Sequence, residues 1–461
     1  MAHPTPLIVL AGGRGARLGP LTAQRAKPAV PFAGRYRIID FVLSNAANSG
    51  YSRVYVLTQF MAHSLIQHLG RTWGPGSGLE LQVVPAQQQR GEHWYRGTAD
   101  AVYQTLPILN GLPCEHVGVF GGDHVYLGEL DRMERFHQRT GADLTVAAFT
   151  VPRAEAGGFG VIDVDPGGRI LGFREKPREW ARDAEGPETC PASMGNYFFR
   201  APLLAAALEE LAADESAGHD FGHDLIPRLV ARGARVYAYD FAADARVGAA
   251  APYWRDVGTI QTYFQAHLDL LAAEPALDLA DPAWPLRTAP RCAPPARLGA
   301  TVSGLATLAR SLVCEAAVVE EASLSESVLG VGCRVREGAD LHQCLLLDGC
   351  EVGADARLRR LLLDKNSTVA AGAEVGVDPE RDLERFPFVT CDGVVVVPKG
   401  SHLPRRGPLV LARDMAQRLE QDPALRELLR DRYAVAGHPS SQRPGLARGA
   451  RRTPAAARPR P

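Results

Sequence analysis

Several things are missing from this 461-residue chain, and each absence removes a class of function. Its eight cysteines include no CxxC pair, which argues against a zinc ribbon or a disulfide framework and for reduced core residues. No apolar run approaches the roughly 18 residues that cross a bilayer, and no basic segment followed by an apolar core opens the chain. The expectation is a cytoplasmic protein with no membrane partner. Neither sign of charge dominates, since 51 Lys and Arg oppose 52 Asp and Glu. Nucleic acid is therefore not the expected partner, and a small molecule is. A Walker loop and a GxGxxG fingerprint are also absent.

What is present begins with "LAGGRGARLGPLTAQRAKPAVPF", Leu10 to Phe32. The run before it, Pro6 to Leu10, is short, continuous and apolar, as suits a strand buried on both faces of a parallel sheet. Loops that leave the carboxyl ends of such strands hold ligands. Gly12, Gly13 and Gly15 let backbone come close to a ligand, and Arg14, Arg17, Arg25 and Lys27 add positive charge nearby. Glycines followed by cations read as a phosphate cradle, although a glycine cluster alone is equally compatible with a tight turn.

Strand-like and helical segments alternate as far as about residue 280, which predicts βαβ units on one mostly parallel sheet. Alternating apolar residues around "DPGG", between Gly158 and Lys176, predict a hairpin inserted in that frame. Arg178 to Pro191 reads as a polar surface excursion. A linker follows over 281–297. From 298 to 410 small and β-branched residues recur at steps of six, the mark of a parallel β-helix in which each turn is buried by its neighbours. Cys344 and Cys350, six apart, are expected as stacked core thiols at equivalent corners. Residues 411–435 carry a helical pattern. The basic, Pro- and Arg-rich tail 436–461 has too little apolar content to order itself.

Two carboxylates fall where chemistry is expected. Asp123 in "GGDHVY" follows the strand "HVGVF", and Asp256 in "YWRDVGT" precedes a helix, where it serves equally as an N-cap. Together they could hold a divalent cation through oxygen donors and neutralise charge during phosphoryl transfer. Glu175 and Lys176, in "FREKP", end a hairpin strand, and Lys176 could meet a phosphate as a point cation.

These stretches, with "YRIIDFVLSNAANSG", "WYRGTADAV", "FGVI", "ASMGNYFF" and "HDFGHDLIP" in order, closely resemble the glucose-1-phosphate adenylyltransferase family, from about Leu7 to Gly376. The resemblance implies an α/β fold: a Rossmann-like nucleotidyltransferase domain with a mostly parallel sheet, followed by a left-handed parallel β-helix. It implies transfer of the adenylyl group of ATP to α-D-glucose 1-phosphate with Mg²⁺, giving ADP-glucose and pyrophosphate for glycogen synthesis. Carried over residue by residue, Gly12, Gly13, Arg17, Lys27 and Gln87 would bind ATP. Arg17, Lys27 and Asp123 would be catalytic, and Asp123 with Asp256 would hold the metal. Tyr95, Gly160, Glu175, Lys176 and Ser193 match the glucose 1-phosphate site. Arg25, Arg37 and Arg359 match positions that bind phosphorylated effectors in a homotetramer. Gln24, Pro31 and Gly111 stand where the family's effector residues are a lysine, a histidine and an arginine, which leaves the effector's identity open. The rival readings are a uridylyl- or thymidylyltransferase on the same sugar phosphate, a regulatory subunit without turnover, and a β-helix with its own acyltransferase activity.

Overall fold

The structure is a computed structural model and describes residues 3–88, 92–109, 114–177, 188–242, 252–299, 306–423 and 433–435. The first domain is organised by nine strands: β1 Leu7–Leu10, β2 Arg53–Thr58, β3 Glu80–Pro85, β4 His116–Gly121, β5 Leu144–Pro152, β6 Gly160–Val164, β7 Ile170–Glu175, β8 Thr189–Arg200 and β9 Val236–Asp240. They lie in the order β7-β6-β8-β4-β1-β2-β3, with β5 beside β8 and β9 beside β5. The run from β4 through β1 and β2 to β3 is parallel. β8 is antiparallel to β4 and to β5. Successive residues of β1 alternate between two cores, Ile8 in one and Leu7 and Val9 in the other. A strand with both faces buried has no polar side to show, which is why β1 reads as a continuous apolar run.

The hairpin is present as β6 and β7. Asp165 accepts from the amides of Gly167 and Arg169, and Gly168 takes a positive φ of 79° that suits glycine. The polar excursion ends sooner than expected. Residues 178–187 lie outside the described residues, whereas Pro191 is already inside β8.

The second domain is a parallel β-helix. Val318 lies opposite Arg334, Arg334 opposite Glu351 and Glu351 opposite Thr368, so a coil takes 16 or 17 residues where three steps of six would take 18. The shortening has a local cause. At one corner the chain turns on a single left-handed residue per coil, at Arg310, Glu326, Gln343 and Arg360, with φ between 44° and 52°. Their side chains form a ladder: Arg310 pairs with Glu326, Glu326 accepts from Gln343, and Gln343 accepts from Arg360. After Thr368 the next partner on that face is His402, and the added length holds a helix at Pro379–Arg385. The shorter coil also corrects the cysteine pairing. Cys344 and Cys350 lie on different faces, and Cys350 stacks on Cys333, one coil away. All three are buried core thiols, and burial pushes Cys344 up to about 12.

Of the helical pattern 411–435, residues 424–432 lie outside the described residues, and before them stands a C-terminal helix. It spans Arg413–Gln421 and stops ahead of Pro423, because a residue before proline is driven out of the helical region. Tyr433–Val435 is a strand paired with Leu409–Leu411. The tail 436–461 and Gly111 lie outside the described residues. Among the described residues no helix is long and apolar enough to cross a membrane.

A third core joins the domains. The helix Ile260–Asp269 belongs to the first domain in sequence, yet Ile260, Tyr263, Phe264 and Ala266 share a cluster with the β-helix leucines and valines. On that helix His267 is fully buried. Its Nε2 accepts from the Ala33 amide at 3.1 Å and its Nδ1 donates to the Tyr263 carbonyl at 2.9 Å. Burial pushes the ring down to about 4, with the Tyr263 carbonyl acting against it. An unfolded ring takes its proton near pH 6.5, so the stability this site contributes is complete above about that pH and is lost as pH falls toward 4. The window corresponds to roughly 3 kcal/mol. Unfolding free energies of wild type and His267→Gln should therefore converge as pH falls from 7 to 5. A gap that stays constant with pH would show that the ring is not held neutral.

Candidate active site

A cleft of about 880 Å³ opens where β1 and β4 end. At one end lies the glycine loop. Gly15 has a φ of 64°, and a Cβ there would stand 2.8 Å from Cβ of Lys27. Only glycine lets the loop fold down onto that lysine. Lys27 opens a short 3-10 turn, is 4% exposed, and donates from Nζ to Asp123 Oδ2 at 3.0 Å and to Asp256 Oδ1 at 2.9 Å.

The two aspartates arrive by different routes. Asp123 follows the two glycines that end β4. Asp256 closes a short strand, Trp254–Asp256, which pairs antiparallel with His124–Tyr126 so that Asp256 is opposite His124. That register puts the carboxylates on either side of one ammonium. Asp256 is not the helix cap, since Thr259 fills that place by accepting from the Thr262 amide. Arg17 approaches Asp256 at 3.5 Å. Gly258 makes room for both, because a Cβ there would be 2.8 Å from the Arg17 guanidinium and from each Asp256 oxygen.

Charge and burial oppose each other here. Burial disfavours the ammonium of Lys27, but Asp123 and Asp256 outweigh it and raise the lysine above its ordinary pKa. Burial likewise disfavours ionised Asp123, yet Lys27 and His124 hold its carboxyl well below the usual range. Lys27 and Asp123 therefore stay charged through neutral pH. The two carboxylates present hard oxygen donors of the kind a divalent cation takes, with the Lys27 ammonium and the Arg17 guanidinium already drawn to them.

At the other end Glu175 closes β7 between Gly160 and Gly222. A Cβ on these glycines would stand 2.9 Å and 2.4 Å from Glu175 Oε2. Lys176 follows in the left-handed region at φ 44°, strained for a side chain of its size, and reaches Glu175 Oε1 at 2.6 Å. Ser193 from β8 and Tyr95 complete this wall. Gly12, Gly13, Arg17, Lys27, Tyr95, Asp123, Gly160, Glu175, Lys176, Ser193 and Asp256 thus all line one cleft. Gln87, just beyond β3, is not among the lining residues.

The three expected effector arginines are not gathered at one point. Arg25 is buried and forms a two-bond pair with Asp364 of the β-helix at 2.9 and 2.8 Å. Arg37 donates to the Ser64 carbonyl and lies near Arg25. Arg359 pairs with Asp340 on another β-helix face.

Thr98, Asp220 and Gly222, which carry no expected role, also build the cleft. Thr98 donates to Asp220 at 2.8 Å and accepts from the Phe221 amide, while Asp220 caps the turn that presents Gly222. Their signal lay inside "RGTADA" and "HDFGHD", where a threonine, an aspartate and a glycine occupy cap and close-approach positions.

Comparison with known proteins agrees with this geometry. Residues 7–273 match the nucleotidyl transferase family, and 294–397 match the GlmU-like C-terminal hexapeptide family. Glucose-1-phosphate adenylyltransferase of Thermus thermophilus is 50% identical over 403 residues, 85% of this chain and 97% of that protein. Glucose-1-phosphate adenylyltransferase 1 of Vibrio vulnificus is 42% identical over 86% of this chain and 98% of its own length. The Deinococcus deserti glucose-1-phosphate adenylyltransferase is 42% identical over 85% of this chain and 97% of its own. Similarity of this extent, across both domains, means that the chain belongs to the glucose-1-phosphate adenylyltransferase family of nucleotidyl transferases.

Proposed function

We propose that this chain transfers the adenylyl group of ATP to α-D-glucose 1-phosphate, releasing pyrophosphate and making ADP-glucose, a glucosyl donor for glycogen. The observation that carries this reading is the division of one cleft. A cationic glycine loop with a carboxylate pair lies at one end, and a Glu175–Lys176 pair held between glycines lies at the other. A phosphate oxygen of the sugar phosphate attacks the α-phosphorus of ATP. The new O–P bond forms as the bond to the bridging oxygen of pyrophosphate breaks. The nucleophile is already an anion, so the protein needs no general base, only placement and neutralisation of charge. Lys27 and Arg17 face the triphosphate. Lys176 meets the sugar phosphate and Glu175 accepts from sugar hydroxyls. Asp123 and Asp256 would hold Mg²⁺, which when bound neutralises charge on phosphate oxygens.

Pyrophosphate release with glucose 1-phosphate and ATP, UTP or dTTP tests the reading. A clear preference for ATP is expected, and faster release from UTP or dTTP would replace it with one of the rival transferases. Lys176→Ala should raise the KM for glucose 1-phosphate at least tenfold, an order-of-magnitude expectation for a lost charged phosphate contact, with little change in the KM for ATP. Equal change in both constants would remove Lys176 from the sugar site.

Control by phosphorylated metabolites in a homotetramer is part of the same proposal. In its support, Arg25, Arg37, Arg291 and Lys365 gather at the domain junction around Asp348 and Asp364. Burial, with Arg25 adding to it, pushes Arg37 down to about 10, the sign of a cation short of anions. Gln24 bridges Asp414 and Lys399 at 3.1 and 3.3 Å, an uncharged link where the family resemblance expects a lysine.

A further inference from the structure

Arg14 is the cation of the glycine loop that the carboxylate pair does not engage. Its one hydrogen bond among the described residues runs from NH2 to Oδ2 of Asp422 at 2.7 Å, 408 residues later in the chain. The guanidinium also lies over the Phe60 ring, 5.6 Å from its centroid. Arg14 therefore lines two spaces at once. One is the catalytic cleft, and the other is a cavity of about 130 Å³ walled on its far side by Arg418, Gln421 and Asp422.

Asp422 is placed there by the chain's own local chemistry. Pro423 forbids another helical residue, so Asp422 leaves the helix Arg413–Gln421 with φ −92° and ψ 114° and turns its carboxylate to the loop. The helix is fastened to the first domain at two further points, Gln24 to Asp414 at 3.1 Å and Arg418 to the Met61 sulfur at 3.7 Å. Arg14 itself sits between Gly13 and Gly15, a stretch of backbone with little stiffness of its own. Its guanidinium is held by the Phe60 ring on one side and by Asp422 of the far domain on the other.

We infer that Asp422 is a positioning residue for the nucleotide: with Phe60 it holds the Arg14 guanidinium at the rim of the cleft, leaving the remaining N–H donors for the triphosphate. The inference rests on the adenylyl-transfer reading. The β-helix domain thereby sets nucleotide affinity directly through one ion pair, and the sugar phosphate end of the cleft is untouched by it.

Steady-state kinetics of the full chain test this, with pyrophosphate release followed for wild type, Asp422→Asn, Arg14→Ala and the double variant. Asp422→Asn should raise the KM for ATP about three- to fivefold, the range of a half-exposed ion pair, with kcat and the KM for glucose 1-phosphate unchanged. The double variant should be no worse than Arg14→Ala, since both changes remove one interaction. Asp422→Glu, which keeps the charge, should stay near wild type, and the Asp422→Asn defect should shrink in high salt. An unchanged KM for ATP in Asp422→Asn, additive effects in the double variant, or equal rises for both substrates would overturn the inference. The same assay separates the two readings. A wild type that releases no pyrophosphate from ATP and glucose 1-phosphate defeats adenylyl transfer, whereas an active wild type with an indifferent Asp422→Asn defeats only the role of Asp422.

Discussion

Asp123→Asn should lower turnover by about two to three orders of magnitude while the chain stays folded. The substitution preserves shape and an oxygen that can still accept from Lys27, so the loss is one of charge. Two things fail together. Beside Lys27 one carboxylate remains where there were two, and under the proposed function the loss halves the oxygen donors that would hold Mg²⁺. Lys27, 4% exposed, also loses a carboxylate that kept its ammonium above the ordinary pKa, and burial then works against its charge with only Asp256 opposing. The check is kcat at saturating ATP and glucose 1-phosphate alongside a thermal unfolding curve. A folded Asp123→Asn enzyme within tenfold of wild type would remove Asp123 from the chemistry.

Asp364→Ala should destabilise the protein by about 3–5 kcal/mol. Asp364 is fully buried, and its partner Arg25 is 6% exposed with one guanidinium nitrogen, NH1, already unpartnered. Removing the carboxylate leaves a buried guanidinium at the junction of the two domains without its hydrogen-bonding partner. Replacing both members with apolar residues of similar size, Arg25→Met with Asp364→Leu, should recover most of the loss, because the cost lies in the buried charge that has lost its partner. Denaturant unfolding followed by tryptophan fluorescence measures both. A single variant that loses less than about 1 kcal/mol would show that water reaches the pair.

Much of this could be read without coordinates, for physical reasons that differ from place to place. The buried strands announce themselves because a parallel strand has no polar face, as in Leu7–Leu10 and Arg53–Thr58. Gly12, Lys27, Asp123 and Lys176 were legible because glycines, cations and carboxylates beside strand ends are short-range patterns. The misses were of longer range. Steps of six gave the β-helix but not its coil length, since the left-handed corner at Gln343 and Arg360 uses residues with no glycine signature. The same miscount paired Cys350 with Cys344 in place of Cys333. Gly258 and Gly222 sat in motifs plainly visible, yet what their missing side chains accommodate, Arg17 with Asp256 and Glu175, is decided across the fold. Asp422 offered only a helix-ending proline beside it, with no hint of a partner near the start of the chain.

The carboxylate pair has an unequal parentage. Asp123 is an extension of β4, whose Val119 and Phe120 are seated in the two cores of the sheet. Asp256 is followed by Val257 and the helix Ile260–Asp269, all seated in the core shared with the β-helix. One carboxylate is thus tied to the first domain and the other also to the seam with the second, and they are held together by the three-residue ladder to His124–Tyr126, the Lys27 ammonium and the packing of Trp254 in the core that holds Phe120. Any slippage between the domains becomes a change in the gap between two oxygen donors. The spacing of the Asp123 and Asp256 carboxylates is in that sense a gauge of how the β-helix is seated.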